Sequence, residues 1–152
     1  MTNRYEDNIN SQLDAKRAKR ILSKTSESTI HTHIATYLWH ALKKGVVWNT
    51  VEVSNQQGGK SAMIRQAKLR KKGVRKGWPD IQLFWPHPVH SNCTQGLCLE
   101  VKRPGGVVSD AQKACHADLA RVNIPTAIVY SVEEAREAIR VYKVPTMEAM
   151  EW

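Results

Sequence analysis

Apolar positions recur along this chain at two different periods. Between residues 26 and 44, Ile30, Ile34, Tyr37, Leu38, Ala41 and Leu42 fall three, four and seven apart, the stripe of an amphipathic helix. Ser26 is placed to cap it, Glu27 lies in its first turn, and Gly45 ends it. The next stretch, VVWNTVEV over 46–53, is β-branched and aromatic and predicts a strand. SNQQGGK (54–60) predicts a loop, and 61–72 a basic helix broken by Gly73. Gly77-Trp78-Pro79 forms a turn into a strand over 80–85, and an irregular loop follows over 86–96. A second strand over 97–102 pairs with the first as a hairpin and ends at Pro104-Gly105-Gly106. Ser109 caps a helix reaching Val122, Thr126–Tyr130 reads as a short buried strand, and Ser131 caps a last helix over 132–142. That helix carries Glu133 and Glu134 in its first turn, where the helix dipole favours acids. The order α-β-α-β-β-α-β-α predicts an α/β fold, one mixed sheet flanked by helices on both faces. Residues 1–25 read as a basic, peripheral N-terminal arm, 26–143 as one domain, and 144–152 as a tail without pattern.

Composition narrows the class. The 152 residues are 41% hydrophobic and 24% charged, values of an ordinary globular domain rather than a disordered chain. No apolar run approaches the ~20 residues of a membrane-spanning helix, and the N-terminus lacks the apolar segment of a secretory signal. The three cysteines argue against a disulfide scaffold and for a reducing interior. Together these predict a cytoplasmic protein with no membrane partner. The net charge of +9 is concentrated. Lys60, Arg65, Lys68, Arg70, Lys71, Lys72, Arg75 and Lys76 lie together with no intervening acid, and the arm adds Lys16, Arg17, Lys19, Arg20 and Lys24. A solvated helix face explains many such runs. Here the run leads directly into acidic candidates for chemistry, which favours a polyanion-binding surface.

Those candidates are Asp80, Glu100 and Lys102. Residues two apart on a strand project from the same face, so Glu100 and Lys102 stand side by side while Val101 points into the core. If the hairpin register sets residue 80 opposite residue 100, two carboxylates converge at one point. Two such groups repel unless a proton or cation lies between them, and carboxylates are natural ligands of Mg²⁺. The bland reading is a cross-strand ion pair.

Gly77-Trp78-Pro79-Asp80, Glu100-Val101-Lys102-Arg103-Pro104-Gly105 and Ser109-x-x-Gln112 together resemble the PD-(D/E)XK nuclease superfamily. The likeness is to its VRR-NUC branch, found as stand-alone phage and bacterial proteins and as the C-terminal domain of the Fanconi-associated nuclease. It covers residues 27 to 140. The resemblance implies a restriction-endonuclease-like αβββαβ core and a DNA endonuclease dependent on Mg²⁺ or Mn²⁺. Asp80 and Glu100 would be the metal-binding acids, with the Val101 carbonyl as a further ligand. Lys102 would orient or help deprotonate the attacking water, and Gln112 would point back to the site. The helical acid of the family corresponds to Glu27, which equally suits a first helical turn. Three acids would support two ions, and two acids one. Stand-alone relatives act as homodimers on branched DNA such as four-way junctions. The chain departs from the pattern before the basic stretch. Where relatives carry Pro-Asn-Glu it has Val53-Ser54-Asn55-Gln56, with an acid only earlier, at Glu52.

Other readings stay open on the residues alone. A non-catalytic DNA-binding protein would use Asp80, Glu100 and Lys102 as a structural cluster, and an RNA-directed nuclease would share the same chemistry. Cys93 and Cys98 with His87 and His90 suggest zinc, although their spacing is not an established zinc pattern. Cys115 reads as core. His33 and His40 share a helix face that would meet water, the commoner case, or DNA, and His31 lies on the same helix. Trp39, Trp48 and Trp85 read as core residues, and Trp78 as a flank to the site.

Overall fold

The computed structural model describes residues 25–51, 60–90 and 92–147. Residues 1–24 of the expected arm, the end of the first strand with the loop after it (52–59), residue 91 and 148–152 lie outside the described residues. Helix α1 (Glu27–Ala41) buries the stripe that the sequence marks, Ile30, Ile34, Leu38 and Ala41. Ser26 caps it, its hydroxyl accepting the Thr29 N–H at 3.1 Å. Gly45, at φ 105°, turns the chain into β1 (Val47–Thr50). The basic helix α2 (Lys60–Lys71), β2 (Ile81–Pro86), β3 (Thr94–Val101), α3 (Asp110–Arg121), β4 (Thr126–Val129) and α4 (Val132–Val141) follow in order.

The sheet order is β1-β2-β3-β4. β1 pairs antiparallel with β2, and β2 antiparallel with β3. β3 pairs parallel with β4, which requires the crossover that α3 provides. On one face, Ile81, Leu83 and Trp85 meet Leu97, Leu99 and Val101, under α1 and the Ala135, Ala138 and Ile139 side of α4. On the other face, Cys98 packs with Cys115 and Leu119 of α3, with Trp78 and Ile124 at the margin. The mixed α/β architecture with helices on both faces is the one the sequence predicts, and it matches a restriction-endonuclease-like core.

Three details differ from the sequence pattern. The hairpin is longer: Trp85 pairs with Gln95 and Pro86 with Thr94, so the irregular loop shrinks to residues 87–93. Trp85 secures this end by donating its indole N–H to Gln95 Oε1 at 2.8 Å, an interaction between polar ends that apolar periodicity does not register. Trp39 is 74% exposed rather than core, standing edge-on to Trp48 with ring centroids 6.2 Å apart. Val144, in the patternless tail, is fully buried, and Thr146 bridges back to Leu42.

Candidate active site

The β2–β3 register pairs Ile81 with Leu99 and so carries residue 80 opposite residue 100. Asp80 sits one residue before β2, and its Oδ2 accepts the Val101 N–H at 2.8 Å. Gly77 fixes that turn. Its φ is +80°, and a Cβ there would lie 2.4 Å from the Ala111 carbonyl oxygen, so the turn seats against the first turn of α3 only without a side chain. Glu100 is fully buried and Lys102 nearly so. Lys102 Nζ donates to Glu100 Oε1 at 2.5 Å and lies 3.7 Å from Glu27 Oε1. Gln112 Nε2 donates to the same Glu100 oxygen, while Gln112 Oε1 accepts the Ser109 N–H at 2.8 Å. The capping box of α3 thus ends on the buried glutamate. Asp80, Lys102 and Gln112 border a cleft of about 660 Å³, whose walls also include Glu27, His31, Lys76 and Trp78, and Glu100 lies buried behind them.

The electrostatics of the cluster follow from burial. Desolvation pushes Glu100 up to about 7, against the hydrogen bond from Lys102, and the Asp80 charge pushes the same way. Burial likewise raises Asp80, against its bond from Val101 and the Lys102 charge. Burial works to lower Lys102, but the Glu100 hydrogen bond and the charges of Glu100, Glu27 and Asp80 outweigh it, and its pKa rises. Lys102 is therefore a cation, a donor of charge and hydrogen bonds. His116, one turn beyond Gln112, is lowered by burial and by Lys102.

Among the described residues, no three His, Cys, Asp or Glu side chains gather tightly enough to hold an ion among themselves. The two-carboxylate arrangement still fits a hard divalent cation. Both lone pairs of Glu100 Oε1 are engaged by Lys102 and Gln112, whereas Oε2 is buried without a hydrogen bond. That leaves coordination capacity on one oxygen of Glu100, next to an acid whose charge already opposes its ionisation. Mg²⁺ is commonly held by one or two carboxylates and completes its shell with water and substrate phosphate. Glu27 stands at the mouth, its side chain 44% exposed and turned toward Lys102.

The structure thus brings together Asp80, Glu100, Val101, Lys102, Gln112 and Glu27. Of the basic segment, Lys68, Arg70, Lys71 and Lys72 are exposed, and Lys76 reaches the cleft. Arg75 is instead engaged by Asp118, which also binds Arg121; the side chain of Lys60 lies outside the described residues. Among the described residues, His87 and His90 do not gather with Cys93 and Cys98 into a metal-holding cluster. The Nδ1 of His87 accepts the N–H groups of Val89 and His90, both at 3.1 Å, and Cys98 is buried toward Cys115. Sequence reasoning missed two histidines. His31 lines the cleft and lowers the Asp80 pKa by its charge. His116 Nε2 lies 3.4 Å from Glu100 Oε2. The signal for His116 was its spacing of four from Gln112, which puts both on one face of α3.

A mixed sheet that presents Pro-Asp at the start of one strand and Glu-x-Lys at the end of its neighbour is the arrangement expected of the PD-(D/E)XK class. Within that class, the model of the VRR-NUC domain matches residues 23–133, and the chain belongs to that family. No curated protein and no solved structure matches the chain.

Proposed function

We propose that the protein is a Mg²⁺- or Mn²⁺-dependent DNA endonuclease that hydrolyses phosphodiester bonds in branched substrates such as four-way junctions, and that it acts as a homodimer. The observation that carries the reading is the buried Glu100, held by Lys102 and Gln112 through one oxygen and, among the described residues, without a hydrogen bond at the other, with Asp80 opposite it in the hairpin register. A cation at Asp80 and Glu100, with the Val101 carbonyl as a further ligand, would supply charge for the phosphoryl oxygen and acidify the attacking water.

The chain's own groups do the rest. Asp80 is oriented by the Val101 N–H and Glu100 by Lys102 and Gln112. Lys102, protonated and anchored on Glu100, offers its remaining N–H bonds toward the cleft, where they orient the attacking water and offset phosphate charge. It acts as a donor in this arrangement rather than as a base. Glu27 at the mouth holds Lys102 from the other side. Lys68, Arg70, Lys71, Lys72 and Lys76 supply backbone contacts, which position DNA without reading sequence. Recognition then falls on the shape of the substrate, and a two-fold dimer would set two sites on the two symmetric strands of a junction.

The test is a panel of end-labelled four-way junction, flap, linear duplex, single-stranded DNA and RNA, incubated with Mn²⁺ or with chelator. The expected result is incision of branched DNA with metal, none with chelator, and none by Asp80→Asn despite retained binding. Binding without metal-dependent incision of any substrate would mark a DNA-binding protein instead.

A further inference from the structure

Glu100 has polar side chains on three sides, Lys102, Gln112 and His116, and the catalytic reading uses only the first two. Oε1 is saturated by Lys102 and Gln112. Oε2 faces His116 Nε2 at 3.4 Å. Both of these atoms are buried and, among the described residues, neither has a hydrogen-bond partner. A buried polar atom left unpaired costs about 1–3 kcal/mol, so two of them facing each other represent a retained cost. Packing alone does not require it, because an apolar side chain at position 116 would remove one orphan. The imidazole comes from α3, the helix that also delivers Gln112, and its side chain is only 16% exposed. The ring therefore lies beside Oε2, within the fold.

We propose that His116 is a positioning residue of the nuclease site: with Lys102 and Gln112 on Oε1 and the His116 ring against Oε2, it fixes the plane in which the Glu100 carboxylate is presented to a cation shared with Asp80. This inference rests on the metal-dependent reading above. Outer groups that hold a ligating carboxylate or imidazole set its orientation, and their loss costs roughly 10–100-fold in metal affinity. Lys102 and Gln112 both hold Oε1, which leaves the carboxylate free to swing about that one anchor. The His116 ring beside Oε2 limits that swing, and a Gln amide at the same position puts a polar group beside the same oxygen.

The experiment measures Mn²⁺ binding by calorimetry on the full chain without DNA, together with the metal-free unfolding midpoint and single-turnover incision. His116→Ala is expected to weaken Mn²⁺ binding at least about tenfold, with the metal-free midpoint unchanged or raised, while His116→Gln stays within about threefold of wild type. Mn²⁺ affinity unaltered in His116→Ala overturns the inference while the nuclease reading stands. Equal losses in His116→Ala and His116→Gln also overturn it, because a packing role predicts no rescue by an N–H donor. A wild-type protein that neither binds Mn²⁺ nor cuts DNA overturns the nuclease reading, and this inference with it.

Discussion

Replacing Glu100 by Gln tests whether the buried carboxylate is a liability until a cation binds it. In the folded protein its pKa is raised to about 7 from 4.5, chiefly by burial. Below the lower value both the folded and unfolded chains are protonated at this position, and it costs nothing. As pH rises from there, the unfolded chain ionises first, and stability falls until the folded state ionises near 7. The gap corresponds to about 3 kcal/mol, lost across that window. Glu100→Gln cannot titrate, so its stability should lack this loss. Urea unfolding of both proteins with chelator, at intervals from about pH 4.5 to about pH 8, isolates the effect as a difference curve. Acids elsewhere, such as Asp118 and Glu137, contribute equally to both proteins and cancel. The difference should change by about 3 kcal/mol in favour of the variant, roughly 6–12 °C in midpoint for a domain of this size. Adding Mn²⁺ at the upper pH should stabilise wild type and not the variant. A flat difference curve would refute the claim that Glu100 resists ionisation.

Three further outcomes follow from the same geometry. Lys102→Met keeps the stem and removes the cation, and should lower single-turnover incision by about 100-fold or more while DNA affinity in a gel-shift assay holds. Gly77→Ala forces a side chain onto the Ala111 carbonyl at φ +80°, and should cost at least ~2 kcal/mol in urea unfolding; a loss below ~0.5 kcal/mol would mean the turn is not seated as described. Changing Lys68, Arg70, Lys71 and Lys72 together to Gln should weaken binding to every DNA alike and flatten the salt dependence by about 0.9 in log–log slope for each phosphate no longer neutralised.

Much of the site was legible because strand periodicity is rigid. Glu100 and Lys102 had to share a face, while the meeting of Asp80 with Glu100 depended on a hairpin register that spacing alone left open and that the Ile81–Leu99 pairing supplies. The capping role of Ser109 was equally local, and Gln112 emerged from the family motif. What the sequence hid depends on contacts between distant segments. His31 faces the cleft because α1 crosses its mouth, and no local pattern sets that crossing. His116 matters only because α3 packs its face onto Glu100. Trp39 looked like core by residue type, yet on α1 it falls off the buried stripe of Ile34 and Leu38. Val144 carried no periodic signal because it enters the core singly, after the last helix has ended. The hairpin end at Thr94 and Gln95 was hidden by its polarity, since pairing there rests on hydrogen bonds rather than burial.

A structure of the protein with Mn²⁺ and an uncleavable branched DNA would bear most directly on the central claim. The account predicts anomalous density between Asp80 and the free oxygen of Glu100, with a DNA phosphate reaching the same ion and Lys102 directed at it. Density lodged elsewhere, with both carboxylates still bound only to protein groups, would contradict it.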